Sequence, residues 1–426
     1  MPELAPKLAI LAALRREPDF SYLRELPSAE SKHGRRLLLW LDKSGLALSF
    51  LHALQRFDVM PRISMEWRFA LCERRSRNLE RTKDMLGEFQ RLNAAFRERG
   101  IAVAALKGFT LVPDFCEDAS LRHQADFDFL VSQADLAKAA AVLRSLGYFA
   151  PQLNKFGETS FSTPLRRIPS VHDDLYNLPQ HRQADLHTSL WEESDWLTLS
   201  IPTDCLHRVQ TQFLYDVEFF SLSLEDKFLL QVLHAFRHAS RSWLRVSWLL
   251  EIARFLQKHK ESARVWSLLI ERAGDSGLMR RVFALVLGLV HRLFHSPVPQ
   301  PLRTWVAGAT SASLEAWLEH FALEWSLSDW PGSLNNLFLA DEFIPDPARR
   351  RQYVWSRFLP RMSQMSVASV SIREPMAYFK LQLRRAQYVA QRALLHGKDV
   401  CGFPLQQYRW KRTLYKAGKR EYAHNW

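Results

Sequence analysis

Ala125-Asp126-Phe127-Asp128-Phe129-Leu130-Val131 alternates carboxylate and aromatic side chains in strict period two. Successive side chains on a strand point to opposite faces. The spacing therefore predicts a strand with Asp126 and Asp128 on one face and Phe127 and Phe129 on the other. Two carboxylates placed this way can share one divalent cation, and Mg²⁺ prefers oxygen ligands. A third carboxylate on a neighbouring strand would complete a two-ion site, which clamps the attacking and leaving oxygens in phosphoryl or nucleotidyl transfer. Asp185 is the candidate, because Gln183–Trp191 reads as a short strand with Asp185 and His187 on one face. Asp-x-Asp alone is a common pattern on a solvated sheet face, so its meaning depends on what surrounds it.

Upstream, Leu79, Leu86, Phe89, Leu92 and Phe96 recur at helical spacing with charges between them, predicting one apolar helix stripe that ends at Gly100. Ile101–Leu106 is apolar and too short for a helix, so it reads as a buried strand broken by Lys107-Gly108. Downstream, Ser132 and Asp135 resemble a capping box, and Leu136, Ala140, Leu143 and Leu146 share a helical face closed by Gly147. Residues 148–183 read as loops and weak strands, punctuated by Pro151, Pro164, Pro169 and Pro179. Helical periodicity returns from Ser221, with Ser223 as N-cap before Glu225 and Asp226, and runs to about residue 345.

The expected class is α+β, a small mixed-sheet core flanked by helical regions. The expected divisions are a helical region over 1–99, an α/β core over 100–220, a helical domain over 221–345 and a basic helical extension over 346–426. A chain of 426 residues suits two to four domains, at about 100–200 residues each.

Hydrophobic residues are 47% and charged residues 24%, which excludes a mainly disordered or low-complexity chain. The formal charge of +13 is concentrated at one end: residues 349–426 hold 17 Lys/Arg against 3 Asp/Glu. That stretch, with Tyr408, Trp410, Tyr415 and Tyr422 interleaved, reads as a solvated extension or as a contact for RNA or another polyanion, with an anionic membrane surface as a third option. Cys72, Cys116, Cys205 and Cys401 are too dispersed for a zinc pattern or a disulfide scaffold. The N-terminus reads as a first helix, and the apolar run Val282–Val290 is too short to span a bilayer. The expected compartment is therefore the cytoplasm. His234 and His238 are spaced to share a helix face, but no Glu follows His234 as HExxH requires.

Taken in order, Leu106-Lys107-Gly108, Arg122-x3-Asp126-x-Asp128, Leu146-Gly147-Tyr148 and Asp185-Leu186-His187 resemble the uncharacterised nucleotidyltransferase family. That family is a branch of the polymerase-beta-type nucleotidyltransferase superfamily. Ser223–Asp226, His234, His238, Arg245 and Trp248–Ala253 extend the resemblance, which covers roughly residues 35–260. It implies that Asp126, Asp128 and Asp185 hold Mg²⁺ or Mn²⁺, with Asp185 also placed to activate an acceptor hydroxyl. It further implies that Lys107 meets the phosphates of an NTP, ATP included, near the Gly108 turn. Arg122 would touch the triphosphate or orient the carboxylate strand, and His187 would support the ligands from behind. Two departures stand out. Lys107-Gly108 replaces the Gly-Ser of the wider superfamily, and Glu251 stands where the branch usually has Asp.

The implied activity is transfer of an NMP from an NTP to an acceptor such as an RNA end, a protein or a small molecule. Two rivals are a non-catalytic binding protein that keeps the fold and a glycosyltransferase, which also uses Asp-x-Asp. The second would need a larger nucleotide-binding half upstream, where this chain is mostly helical.

Overall fold

The computed structural model describes residues 4–150, 158–164, 175–178, 181–191, 197–240, 244–328, 334–359 and 375–416. The chain opens with helices α1 (Leu4–Ala13), α2 (Lys32–Ser44), α3 (Ala47–Arg56) and the long α4 (Met65–Glu98). The sheet strands follow: β1 (Val103–Leu106), β2 (Phe127–Val131), β3 (Glu158–Ser162), β4 (Gln183–His187), β5 (Gln210–Leu214) and β6 (Val217–Ser221), with α5 (Leu136–Ser145) between β2 and β3. Helices α6 (Leu224–Ser240), α7 (Val246–Lys258), α8 (Ala263–Ala273) and α9 (Gly277–Phe294) come next, followed by several shorter helices and the 42-residue helix Pro375–Lys416.

The six strands form one mixed sheet in the order β3-β4-β2-β1-β6-β5. The β2–β4 and β1–β6 pairs are parallel; the other pairs are antiparallel. The fold is α+β, as the sequence predicts. The period-two alternation sets the register. Phe127 and Phe129 of β2, Ala184 and Leu186 of β4 and Val103 and Ala105 of β1 all enter one apolar cluster under α4 and α5. At its centre Phe89 of α4 has ring centroids 5.0 Å from Phe219 and 5.2 Å from Phe109. Truncating such a residue to Ala costs about 3–5 kcal/mol.

The predicted stripe on α4 needs one correction. Leu79 is 42% exposed, whereas Asn78, Thr82, Met85, Phe89, Leu92 and Phe96 are buried. Adjacent residues lie about 100° apart around a helix, so Leu79 faces away from the line that its neighbours keep. The buried line turns polar midway along the helix, between Leu71 and Met85, where it meets backbone carbonyls of the loop before β2. Asn78 Nδ2 donates to the carbonyls of Ser120 (2.8 Å) and Arg122 (3.1 Å), and Arg81 Nε donates to that of Gln124 (3.0 Å). Satisfying buried backbone oxygens in this way offsets the cost of burying them. These bonds fix the loop that leads into β2.

Among the described residues of 148–183, Glu158–Ser162 form β3, a short strand of the kind expected there. In β3, Thr159 and Phe161 point into the core while Glu158, Ser160 and Ser162 alternate outward. The helical regions share one continuous apolar core, which includes Ile10, Leu51, Phe228, Phe283 and Trp317. The Val282–Val290 run lies inside it on α9. The basic extension joins the same core. Tyr353 is buried in the helix Pro347–Phe358, as are Phe403, Trp410 and Leu414 in the helix Pro375–Lys416. The Trp410 ring lies 5.6 Å from Phe338 and 5.7 Å from Phe321. Trp410, expected as an exposed stacking residue, is therefore a core residue. Tyr408 and Tyr415 are exposed as expected, and Tyr422 lies outside the described residues. Among the described residues, no single helix is long and apolar enough to cross a membrane.

Candidate active site

The face of the sheet turned away from α4 carries the polar side chains. Asp128 and Asp185 are direct register partners in the parallel β2–β4 pair. On the flanks, Leu106 pairs with Asp128 and Ser160 pairs with Asp185. Asp126 falls just before β2 and is partly buried. His187 pairs with Leu130 and reaches back, its Nε2 lying 2.9 Å from Asp128 Oδ1.

Lys107 follows β1 with a backbone φ of +50°. A non-glycine residue in this region costs on the order of 1–3 kcal/mol and is typical of functional sites. Here the strain delivers the ammonium to the carboxylates: Nζ donates to Asp128 Oδ1 at 2.9 Å. Gly108 continues the left-handed turn with φ +50°, and a Cβ there would lie 2.6 Å from Gln124 Nε2. Gln124 uses that nitrogen to donate to the Asp126 carbonyl at 3.0 Å. The glycine thus makes room for the side chain that anchors the segment bearing Asp126.

The surroundings push the three acids in different directions. Burial raises the Asp128 carboxyl, but Lys107 and the His187 hydrogen bond outweigh it and hold the group well below the usual range. Burial pushes Asp185 well up, and the charges of Asp128, Asp126 and Glu158 add to the rise. Burial raises Asp126 as well, reinforced by Asp128. Burial pulls Lys107 down, but the three carboxylates more than compensate and keep it an ammonium. One acid is therefore held as a carboxylate, while burial and mutual repulsion push the other two up, Asp126 despite the charges of Lys107 and Arg122.

Arg122 is held by a carboxylate of α7. Its Nε donates to Glu251 Oε1 at 2.8 Å, and Gln231 Nε2 donates to Glu251 Oε2 at 2.8 Å. The longer reach of Glu251 thus joins α7 to the loop before β2, and Asp126 feels the Arg122 charge from there. His234 packs edge-to-face against His238 and Trp248, and His238 lies tilted against Trp248, with centroids 4.6, 4.3 and 4.4 Å apart. Burial keeps His234 well below the ordinary imidazole range.

The period-two pattern does not reveal Glu158 and Ser160 of β3, or Gln183, whose Nε2 lies 3.3 Å from both oxygens of Asp185. The alternation in Glu158–Ser162 is the signal that could have placed them. Glu158 also approaches Arg237 of α6 at 3.6 Å.

The donor set suits a hard divalent cation: it is made of carboxylates, two of them under-neutralised. Among the described residues, however, no three His, Cys, Asp or Glu side chains are arranged as a ready cage. The Lys107 ammonium occupies the position of counter-cation on Asp128.

The family described as uncharacterised nucleotidyltransferase matches residues 30–295. The chain belongs to this nucleotidyltransferase family. No curated protein and no solved structure matches the chain. The match includes every residue of the polar face described above, together with α6 and α7, and ends before the basic extension.

Proposed function

We propose that this member of the nucleotidyltransferase family is a metal-dependent enzyme that moves an NMP from an NTP to an acceptor hydroxyl. The observation that supports this most is the side-by-side register of Asp128 and Asp185, with Asp126 two residues upstream. Asp126, Asp128 and Asp185 are the residues that would hold Mg²⁺ or Mn²⁺. When bound, the ions would neutralise charge on the phosphates and bring the reacting oxygens together. Lys107 leaves Asp128 and meets the phosphates, since its stem starts from a strained turn beside the site. Asp185 accepts the acceptor's proton as the acceptor oxygen bonds to the α-phosphorus and the bond to pyrophosphate breaks. His187 keeps the Asp128 carboxylate oriented. Positioning and charge neutralisation contribute most of the catalysis in such transfers.

The test is to incubate the purified chain with Mg²⁺, four α-labelled NTPs and cell extract. Label transferred to RNA, protein or a metabolite by the wild type and not by Asp185→Asn supports the reading. Equal labelling by the two proteins, or none by either, counts against it.

The salt bridge from Lys107 to Asp128 favours a second reading, a binding protein that keeps the fold without catalysis. NTP affinity that is indifferent to Mg²⁺ and to Asp126→Ala in calorimetry would select it.

A further inference from the structure

The helix Pro375–Lys416 carries two apolar stripes. Phe403, Trp410 and Leu414 are buried against the body of the protein. Phe379, Leu383, Leu394, Leu405, Tyr408 and Tyr415 are each 50% to 77% exposed. Successive helix residues lie about 100° apart. The six exposed residues therefore all fall within an arc of roughly 80°, and the three buried ones fall on the opposite side. Ala390, Gly397 and Cys401 lie on the same arc and are exposed too. Gln387 and Arg412 are its polar positions. From Phe379 to Tyr415 the outer stripe runs for about 54 Å.

The charges are ordered around this stripe. Lys398 and Arg409, both exposed, border it on one side, and Lys411 borders it on the other. The helix has nine Lys/Arg and one acid, Asp399, which falls on the side away from the stripe. Exposed apolar residues scattered singly are ordinary, whereas a contiguous apolar surface marks a contact.

The chemistry of the stripe selects among partners. Nucleic-acid bases stack on aromatic rings, but Leu383, Leu394 and Leu405 offer them none. A second copy of the helix would set basic borders against basic borders with no acid to pair them. A bilayer of anionic phospholipid answers both features at once. Apolar side chains enter the boundary between headgroups and acyl chains, while Lys and Arg stems reach up to the phosphates.

We propose that the helix Pro375–Lys416 is an interfacial helix that docks the protein on an anionic phospholipid surface. It lies in the membrane plane and does not cross it. Leu383, Leu394 and Leu405 enter the acyl boundary, and Lys398, Arg409 and Arg412 meet the headgroups. Phe403, Trp410 and Leu414 keep the helix attached to the body meanwhile. This surface is separate from the carboxylates and lies outside the family match over residues 30–295.

Co-sedimentation of the full chain with vesicles of equal parts phosphatidylcholine and phosphatidylserine tests the proposal. The wild type should bind these vesicles, and bind less as salt rises. Leu394→Glu withdraws one apolar anchor, so binding should weaken at least about tenfold. Its melting temperature should hold, because Leu394 is 77% exposed. Lys398→Gln with Arg409→Gln should weaken binding about fivefold for each charge removed. Asp185→Asn should bind as the wild type does, which separates docking from transfer. Vesicle binding that survives Leu394→Glu, or that is equally strong on phosphatidylcholine alone, would overturn the proposal. So would a protein that ignores both vesicles and binds labelled single-stranded RNA with an affinity that Leu394→Glu leaves unchanged. A dimer in sedimentation that Leu394→Glu dissolves, without vesicle binding, would give the stripe to a second copy instead.

Discussion

Asp128 and Asp185 are register partners on adjacent parallel strands, yet their surroundings bias their charges in opposite directions. Lys107 and His187 both contact Asp128, whereas Asp185 has the neutral partners Gln183, at 3.3 Å, and Ser160, with a further acid, Glu158, nearby. The two aspartates should therefore respond differently to substitution. Asp185→Asn removes repulsion, so the metal-free protein should melt no lower than wild type while transfer falls by about 10²–10⁴-fold, the usual worth of a general base. Asp128→Asn abolishes transfer too, but it leaves Lys107 without its carboxylate, and it should cost about 1–3 kcal/mol of stability. Thermal melts beside transfer assays check both. Equal destabilisation by the two variants would contradict the assigned difference.

The Lys107–Asp128 pair leads to a second prediction. A resident ammonium competes with an incoming cation for the same oxygen. Lys107→Met should tighten Mg²⁺ binding without nucleotide by about tenfold, or 1.4 kcal/mol, while weakening NTP binding. Titrating Mg²⁺ and NTP separately distinguishes this from simple disruption of the site, which would weaken both.

Much of this site is legible in the sequence because it rests on period two. Phe127, Phe129, Ala184 and Leu186 must share the buried face, and that choice brings Asp128, Asp185 and His187 together on the other. Three features stay hidden for physical reasons. The buried line of α4 passes through Asn78 and Arg81, which look like surface residues until the carbonyls they satisfy are known. Glu158 enters through a strand whose inward residues are only Thr159 and Phe161, too weak a signal among prolines. Trp410 has a basic neighbourhood in sequence but an aromatic one in space. Charge density along a chain does not report which face of a helix is buried.

Asp114 ties the loop after Gly108 to the end of α7. His259 Nε2 lies 3.0 Å from its Oδ1 and Lys258 Nζ lies 2.9 Å from it. Burial alone would raise this carboxyl, but the two partners outweigh burial and lower it to about 2. A depressed acid adds stability that is complete above its ordinary value of 3.8 and is lost as pH falls towards 2. The pair is partly exposed, so its worth is on the order of 1 kcal/mol. Asp114→Asn should lower stability at neutral pH by that amount and flatten the acid limb between those values. Circular dichroism melts at stepped pH read both effects, and parallel acid limbs for the two proteins would refute the assignment.

The basic extension needs a gentler probe than deletion. Removing residues 349–426 would take Tyr353, Phe403, Trp410 and Leu414 out of the core, so weaker binding could reflect unfolding. Trp410→Ala alone should cost about 3–5 kcal/mol and lower the melting temperature without a specific effect on polyanions. Arg409 and Arg412 are exposed on the same helix. If that face meets RNA or another polyanion, reversing both to Glu should weaken binding to a labelled RNA while the fold holds. It should also flatten the dependence of log affinity on log salt, by about 0.7–0.9 for each phosphate that is no longer neutralised. Unchanged RNA affinity and salt slope in the double variant would show that RNA does not meet this surface.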